Sequence, residues 1–201
     1  EAREHVRRMC DLAAAHGRRV AMLVDDSGDA SLGTTEMLAE AMLEHGLGGR
    51  GVAHHARAVG LYSPPALERL ADLAKRARLG FVSDPHTGPL HLPVRELTAM
   101  GVPVALGQDD IEDAFYPFGR HHMVEIAFLA AHALETVDTA GLDLVYDAVT
   151  TTAATVLGIT GHRLEEGGNA DLVVHHQPTL RGVLTHHDAP AYVVASGRLV
   201  A

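Results

Sequence analysis

Residues 20–28 read Val-Ala-Met-Leu-Val-Asp-Asp-Ser-Gly, and they indicate the fold class more clearly than any other stretch of the chain. Five apolar residues stand in an unbroken run that ends abruptly at polar turn residues. Such a run is typical of a strand buried on both faces, as in a parallel sheet. We therefore predict a buried strand over residues 20–24, with two carboxylates at its carboxyl end.

The same pattern repeats along the first two thirds of the chain, and it alternates with segments of helical spacing. We predict strands at residues 20–24, 51–54, 79–83 and 102–107, and helices at 1–16, 34–45, from 63 onward, and at 93–100, 120–135, 142–149 and 150–157. This alternation predicts an α/β protein with either an open parallel sheet or part of a (β/α)8 barrel. A complete barrel takes about 250 residues, so four strand-helix units fit half of one.

The pattern changes after Gly158. Short strands are predicted at residues 170–174, 191–195 and 198–200, with a hairpin turn at Ser196-Gly197. We accordingly divide the chain into residues 1–160, the α/β part, and residues 161–201, a small β element.

Composition narrows the possible partners and compartment. The 201 residues carry 16 Lys and Arg against 26 Asp and Glu, a formal charge of −10, which opposes binding to nucleic acid phosphates. No apolar run approaches the roughly 20 residues of a membrane-spanning helix, so we expect no membrane partner. Cys10 is the single cysteine, which excludes an internal disulfide, and we expect a cytoplasmic protein.

Polar side chains follow each of the four predicted strands. They are Asp25 and Asp26, then His54 and His55, then Asp84 and His86, and finally Gln108, Asp109 and Asp110. The carboxyl ends of parallel strands meet at one edge of the sheet, the rim, where reactive residues lie. Carboxylates and imidazoles suit zinc or iron(II), although an Asp doublet after a strand is also typical of a helix cap. Because successive strand residues point to opposite faces, we expect only one of His54 and His55 to face this rim.

Residues 107–119 read Gly-Gln-Asp-Asp-Ile-Glu-Asp-Ala-Phe-Tyr-Pro-Phe-Gly, and they strongly resemble the strand-eight loop of cytosine deaminases of the metal-dependent amidohydrolase superfamily. Residues 53–56 (Ala-His-His-Ala) and 81–85 (Phe-Val-Ser-Asp-Pro) are similar to the strand-six and strand-seven segments of that family. Residues 151–158 and 166–174 are similar to its closing helix and its return into a small β-sandwich. The resemblance implies the C-terminal half of a TIM barrel, strands five to eight, followed by a β-sandwich element.

The resemblance also implies a reaction and roles for individual residues. It implies a hydrolase that acts on carbon–nitrogen bonds other than peptide bonds and deaminates a pyrimidine-like amino-heterocycle with a metal-bound hydroxide, using one zinc or iron ion. By position, Asp109 matches the aspartate that binds the metal and orients the hydroxide, and His55 matches the histidine that contacts the hydroxide. Asp26 stands where the family has a proton-shuttling glutamate. Asp110 and Phe115 match residues of the substrate pocket.

Three positions depart from the family. Leu23 stands where the family has a metal-binding histidine, Asp26 is one methylene shorter than glutamate, and Gln108 replaces a histidine. The family's His-x-His metal pair has no counterpart in these residues. A half barrel exposes strand edges and an apolar interior, so we expect a complementing N-terminal half, either upstream in the same polypeptide or in a second chain, and we expect a homo-oligomer.

Two other functions stay open at this point. Leu23 favours a catalytically inactive homologue that binds a small molecule or a protein partner. The 15 histidines, eight of them in adjacent pairs, also suggest a histidine-rich metal-binding protein with several weak sites. For the enzyme, cytosine, another amino-pyrimidine, a triazine and a creatinine-like ring all remain candidate substrates.

Overall fold

The computed structural model describes residues 1–114 and 116–201, and in them helices and strands alternate as the sequence predicts. The helices are α1 (Ala2–Ala15), α2 (Thr34–Glu44), α3 (Pro64–Ala77), α4 (Val94–Ala99), α5 (Met123–Ala133), α6 (Thr139–Val149), α7 (Thr151–Leu157) and α8 (Leu180–His186). The strands are β1 (Val20–Val24), β2 (Gly51–His55), β3 (Gly80–Ser83), β4 (Val104–Leu106), β5 (Leu172–Val174), β6 (Tyr192–Ala195) and β7 (Arg198–Leu199).

Strands β1 to β4 form a parallel sheet in chain order, which confirms the α/β prediction. The register pairs Val24 with His55 at the carboxyl ends of β1 and β2, and Ser83 with Leu106 at the ends of β3 and β4. All four strands therefore end at the same edge of the sheet. The polar residues that follow them are brought to this edge.

One face of the sheet packs against the helices and forms the main core. Phe81 of β3 and Val24 of β1 are buried there, together with Leu38 and Met42 of α2 and Leu70 of α3. Burial of each large apolar side chain stabilises the fold by roughly 1.5–3 kcal/mol. This core holds the strands, and with them the rim, in a fixed arrangement.

The opposite face of the sheet, its inner face, is covered only in part by the described residues. Val156 of α7 packs there against Val52 and Ala105, and a Cβ on Gly80 would lie 2.9 Å from Val156 Cγ1. Farther along the face, Leu23 of β1 is 68% exposed. The expectation that β1 is buried on both faces is therefore wrong, because no described residue covers its inner side near Leu23.

The C-terminal tail, residues 161–201, contains a helix that the sequence did not indicate. Strands β5, β6 and β7 form an antiparallel sheet, and Ser196 and Gly197 both have positive φ in the turn between β6 and β7, as the predicted hairpin requires. Helix α8 lies between β5 and β6, and its residues Val183 and Leu184 join the main core. The predicted helix over 120–135 is shorter in the structure and begins at Met123.

The described helices include none with the length and hydropathy that crossing a lipid bilayer requires.

Candidate active site

His55 lies at the centre of the polar rim. Its backbone, and that of Ala56, adopt positive φ angles of 64° and 47°, which turn the chain sharply at the end of β2. The side chain is buried, and its Nδ1 lies 3.2 Å from Asp84 Oδ1 and 3.6 Å from Asp26 Oδ1. The ends of β1, β2 and β3 thus contribute one side chain each to a single cluster.

The turn at His55 also changes where His54 lies relative to it. A cavity of about 60 Å³ is lined by both histidines, together with Asp84, Gly107 and Asp109. The expectation that only one of the two histidines faces the rim is wrong, because the positive φ of His55 interrupts the alternation of strand side chains.

Three donor groups at the rim fit a divalent metal ion. Donor atoms of His55, Asp84 and Asp109 all lie within 4.8 Å of one another. One imidazole and two carboxylates are ligands that zinc and iron(II) accept, and catalytic zinc sites commonly use three protein ligands and leave one position open. Asp109, at a φ of 63° after β4, is exposed.

Arg57 joins the carboxylates of two strand ends and has no counterpart in the sequence prediction. Its Nη2 donates to Asp84 Oδ2 at 2.6 Å and to Thr87 Oγ1 at 2.9 Å, and its Nε donates to Asp26 Oδ1 at 2.8 Å. Its side chain is only 15% exposed. No motif marks Arg57, and the only sequence signal is its position two residues after His55.

Asp25 and Asp26 are adjacent in sequence but have different environments. Asp25 is buried, and its Oδ1 accepts from the Thr34 amide at 2.8 Å and from the Thr34 hydroxyl at 2.7 Å, while Oδ2 accepts from the Thr35 amide at 2.8 Å. These bonds satisfy donors at the N-terminus of α2. Asp25 is therefore a helix cap, whereas the Asp26 side chain is 49% exposed at the rim.

His54 and His86 are two other imidazoles at the rim. Burial lowers the pKa of His86, and burial together with neighbouring His55 lowers the pKa of His54. His86 Nε2 lies 3.1 Å from the Gln108 carbonyl oxygen, which can only accept, so Nε2 carries the proton. Its buried Nδ1 then has a free lone pair, with no hydrogen-bond partner among the described residues.

The structure brings together Asp26, His55 and Asp109, three of the residues that the sequence predicted for this site. Asp110 adjoins this cluster, and its partial burial and the Asp109 carboxylate raise its pKa. Phe115, the second predicted pocket residue, lies outside the described residues. The roles of these five residues in binding and catalysis stay predictions.

Comparison with known proteins gives one consistent relationship. The amidohydrolase family matches residues 1–201. The chain is 28% identical over 178 residues to N-isopropylammelide isopropyl amidohydrolase of Pseudomonas sp. (strain ADP), covering 88% of this chain and 44% of that protein. It is 28% identical over 203 residues to pterin deaminase of Rhizobium rhizogenes, covering 94% of this chain and 46% of that protein.

Among solved structures, 5-methylcytosine deaminase of Klebsiella pneumoniae, liganded with 5-fluorocytosine, superposes with a TM-score of 0.91 at 25% identity. The match covers 99% of this chain and 52% of that one, so the chain spans about half the length of the relatives it matches. The resemblance to cytosine deaminases is confirmed, and the chain belongs to the amidohydrolase family.

Proposed function

We propose that this chain supplies the catalytic rim of an enzyme that hydrolytically deaminates a pyrimidine-like amino-heterocycle. Residues 1–160 are, in this proposal, the C-terminal half of a (β/α)8 barrel, and the tail belongs to a small β-sandwich. The observation that carries the proposal is the cluster of His55, Asp84 and Asp109, whose donor atoms lie within 4.8 Å of one another. The related pterin and 5-methylcytosine deaminases favour this reaction class.

Asp109 and His55, with Asp84, are the residues that would hold one zinc or iron ion. When bound, such an ion polarises the substrate and lowers the pKa of water to near neutrality. Asp109 is exposed, so its carboxylate would be accessible to both an ion and the attacking water. His55 is buried beside the carboxylates of Asp26 and Asp84, and these contacts hold its imidazole at the rim.

Asp26 is the proposed proton carrier. In the overall reaction the oxygen of water bonds to the ring carbon and the exocyclic carbon–nitrogen bond breaks. One proton of the water leaves with the ammonia, and the other stays on the product ring. Asp26 takes up a proton from the water and passes it to the leaving nitrogen. Its exposed position beside His55 fits this role, since a proton carrier must reach the reacting atoms.

Asp110 and Phe115 are the proposed substrate contacts. The raised pKa of Asp110 favours a carboxyl that can share a proton with a ring nitrogen. An aromatic residue at position 115 suits a flat heterocycle, which packs well against an aromatic ring.

We further propose that a complementing half completes the rim. The chain matches only 44–52% of the length of the compared proteins, and Leu23 is 68% exposed on the inner face of the sheet. An upstream segment or a second chain would cover this face and supply further metal ligands. Association of complete units into a homo-oligomer is part of the same proposal.

An ammonia-release assay tests the function. The assembled enzyme, meaning this chain with the segment or partner that completes it, is loaded with Zn²⁺ or Fe²⁺ and given cytosine, isocytosine, an amino-triazine and a creatinine-like ring. We expect turnover of at least one of them, and loss of turnover in Asp109→Ala. Turnover that is equal in Asp109→Ala and wild type would contradict the proposal.

Leu23 favours a second candidate, an inactive homologue that binds a small molecule or partner. An exposed leucine stands where the resemblance places a metal-binding histidine, and leucine has no donor atom. The inactive homologue predicts no metal at saturating supply and no ammonia from any tested heterocycle, whereas the enzyme predicts stoichiometric metal and turnover.

A further inference from the structure

Arg57 forms a chain of contacts from the buried interior to the exposed rim. Asp84 is buried, and its Oδ2 accepts hydrogen bonds from Arg57 Nη2 and from the Thr87 hydroxyl. Thr87 Oγ1 also lies 2.9 Å from the same Arg57 nitrogen. This end of the guanidinium therefore contacts Asp84 and Thr87, which follow β3, and its Nη2 also lies 3.2 Å from His55 Nδ1.

The other end of the guanidinium faces Asp26. Arg57 Nε donates to Asp26 Oδ1 at 2.8 Å, and the planar group keeps Nε and Nη2 in a fixed relative geometry. Asp26 Oδ2 accepts no hydrogen bond from any residue that the structure describes. One carboxylate oxygen is thus fixed by Arg57, and the other stays free beside the rim.

We propose that Arg57 is a positioning residue, which is anchored by Asp84 and Thr87 and holds Asp26 with its Oδ2 free for proton transfer. This inference rests on the proposed function for its catalytic meaning. An aspartate side chain reaches less far than glutamate, so an unfixed carboxylate would spend little time within hydrogen-bond reach of its target. Arg57 removes that freedom through a charge-assisted hydrogen bond.

Replacing Arg57 with lysine tests the geometry of this side chain separately from its charge. Arg57→Lys keeps the positive charge but has a single nitrogen, which can stay with Asp84 and loses the planar link to Asp26. Arg69 lies on the exposed side of α3, so Arg69→Lys is a matched control for the same chemical change away from the rim.

The first test needs no activity. In the assembled protein, ¹H–¹⁵N NMR of arginine Nε–H groups should show a slowly exchanging signal for Arg57 that shifts in Asp26→Asn, while the Arg69 signal does not shift. An Arg57 signal that exchanges as fast as that of Arg69, or that is unchanged in Asp26→Asn, would overturn the inference.

The second test is a double-mutant cycle on deamination. We expect Arg57→Lys to lower kcat about tenfold with little change in KM, because it removes help given only in the transition state. In an Asp26→Asn background the same change should alter kcat less than about twofold, because the residue it acts through is already lost. Equal effects in both backgrounds would overturn the inference, as would an effect of Arg69→Lys as large as that of Arg57→Lys. A wild-type enzyme without turnover would instead refute the proposed function, and the NMR result alone would then decide whether Arg57 holds Asp26.

Discussion

The Nδ1 atom of His55 lies 3.2 Å from Asp84 Oδ1, between the ends of neighbouring strands β2 and β3. Both residues are buried, and a buried carboxylate is stable only with partners that satisfy its charge and lone pairs. Arg57 supplies the charge and His55 the second contact. The same pair also contributes two of the three donors that fit a metal ion, so folding and the proposed chemistry depend on the same contact.

Asp84→Ala should destabilise the fold strongly. The change leaves Arg57, which is 15% exposed, without its buried partner, and such losses cost about 3–5 kcal/mol. Urea unfolding followed by circular dichroism measures the change. Glu40→Gln, which breaks the exposed pair between Arg3 and Glu40, is the control and should cost much less, because solvent screens exposed ion pairs. Equal losses in the two variants would contradict a buried ion pair at Asp84.

Asp25→Ala should lower stability without acting on the proposed chemistry directly. Asp25 accepts three hydrogen bonds from Thr34 and Thr35 at the start of α2, and loss of a cap costs about 0.5–2 kcal/mol. Asp25→Asn should lose less, because asparagine retains one acceptor and tolerates the positive φ of 47° at this position. Thermal unfolding measures the order of stability among wild type, Asp25→Asn and Asp25→Ala. An Asp25→Ala variant as stable as wild type would refute the capping role.

Stability should fall as the pH decreases below about 6.5, in part because of His122, which precedes α5, and His175, which follows β5. Burial lowers the pKa of His122 and of His175 from the ordinary value of 6.5, and His122 lowers that of His175 further. Below 6.5 the unfolded chain therefore binds protons that the folded chain resists, and the stability present above this pH is lost.

Urea midpoints at pH 7.5 and pH 5.5 test this expectation. His175→Gln should show a smaller decrease in midpoint than wild type, whereas His16→Gln, at an exposed position after α1, should decrease as wild type does. Equal decreases in all three proteins would contradict a contribution from His175.

Leu23→His should strengthen metal binding. The register places Leu23 opposite His54 at the rim end of β1, and the resemblance to cytosine deaminases implies a ligand at this position. We expect the Zn²⁺ affinity of the assembled protein to rise at least about tenfold, which corresponds to about 1.4 kcal/mol. Leu12→His, at an exposed position on α1, is the control. An equal affinity for Leu23→His and wild type would show that position 23 does not reach the ion.

The fold could be predicted from residues 20–24 and their repeats because short apolar runs and helical spacing have different periods. Helix α8 escaped prediction because it has seven residues, includes Gly182, and owes its stability to burial of Val183 and Leu184 against distant helices. The apolar run of β1 alone did not indicate the exposure of Leu23, since this exposure depends on what covers the inner face of the sheet. The expectation that a half barrel exposes an apolar interior agrees with it.

For the site, the residues at the strand ends could be predicted from the sequence, whereas their hydrogen-bonding partners could not. His55, Asp84 and Asp109 follow strands and could be placed on one rim from topology alone. Arg57 lies in a short helical turn (Arg57–Leu61) after β2, and its contacts with Asp26 and Asp84 span 31 and 27 residues of sequence. No local pattern indicates such a bridge. The different environments of Asp25 and Asp26 also depend on contacts with residues distant in sequence, since both are aspartates at a strand end.

Zn²⁺ binding tests the central claim most directly, namely that His55, Asp84 and Asp109 form a metal centre. Isothermal titration of the metal-free assembled protein should give one tight site in wild type. Asp109→Asn and His55→Asn should each weaken that site about tenfold or more, while His5→Asn on the exposed face of α1 should not. A wild-type protein that takes up no Zn²⁺, or rim variants that bind it as tightly as wild type, would contradict the account.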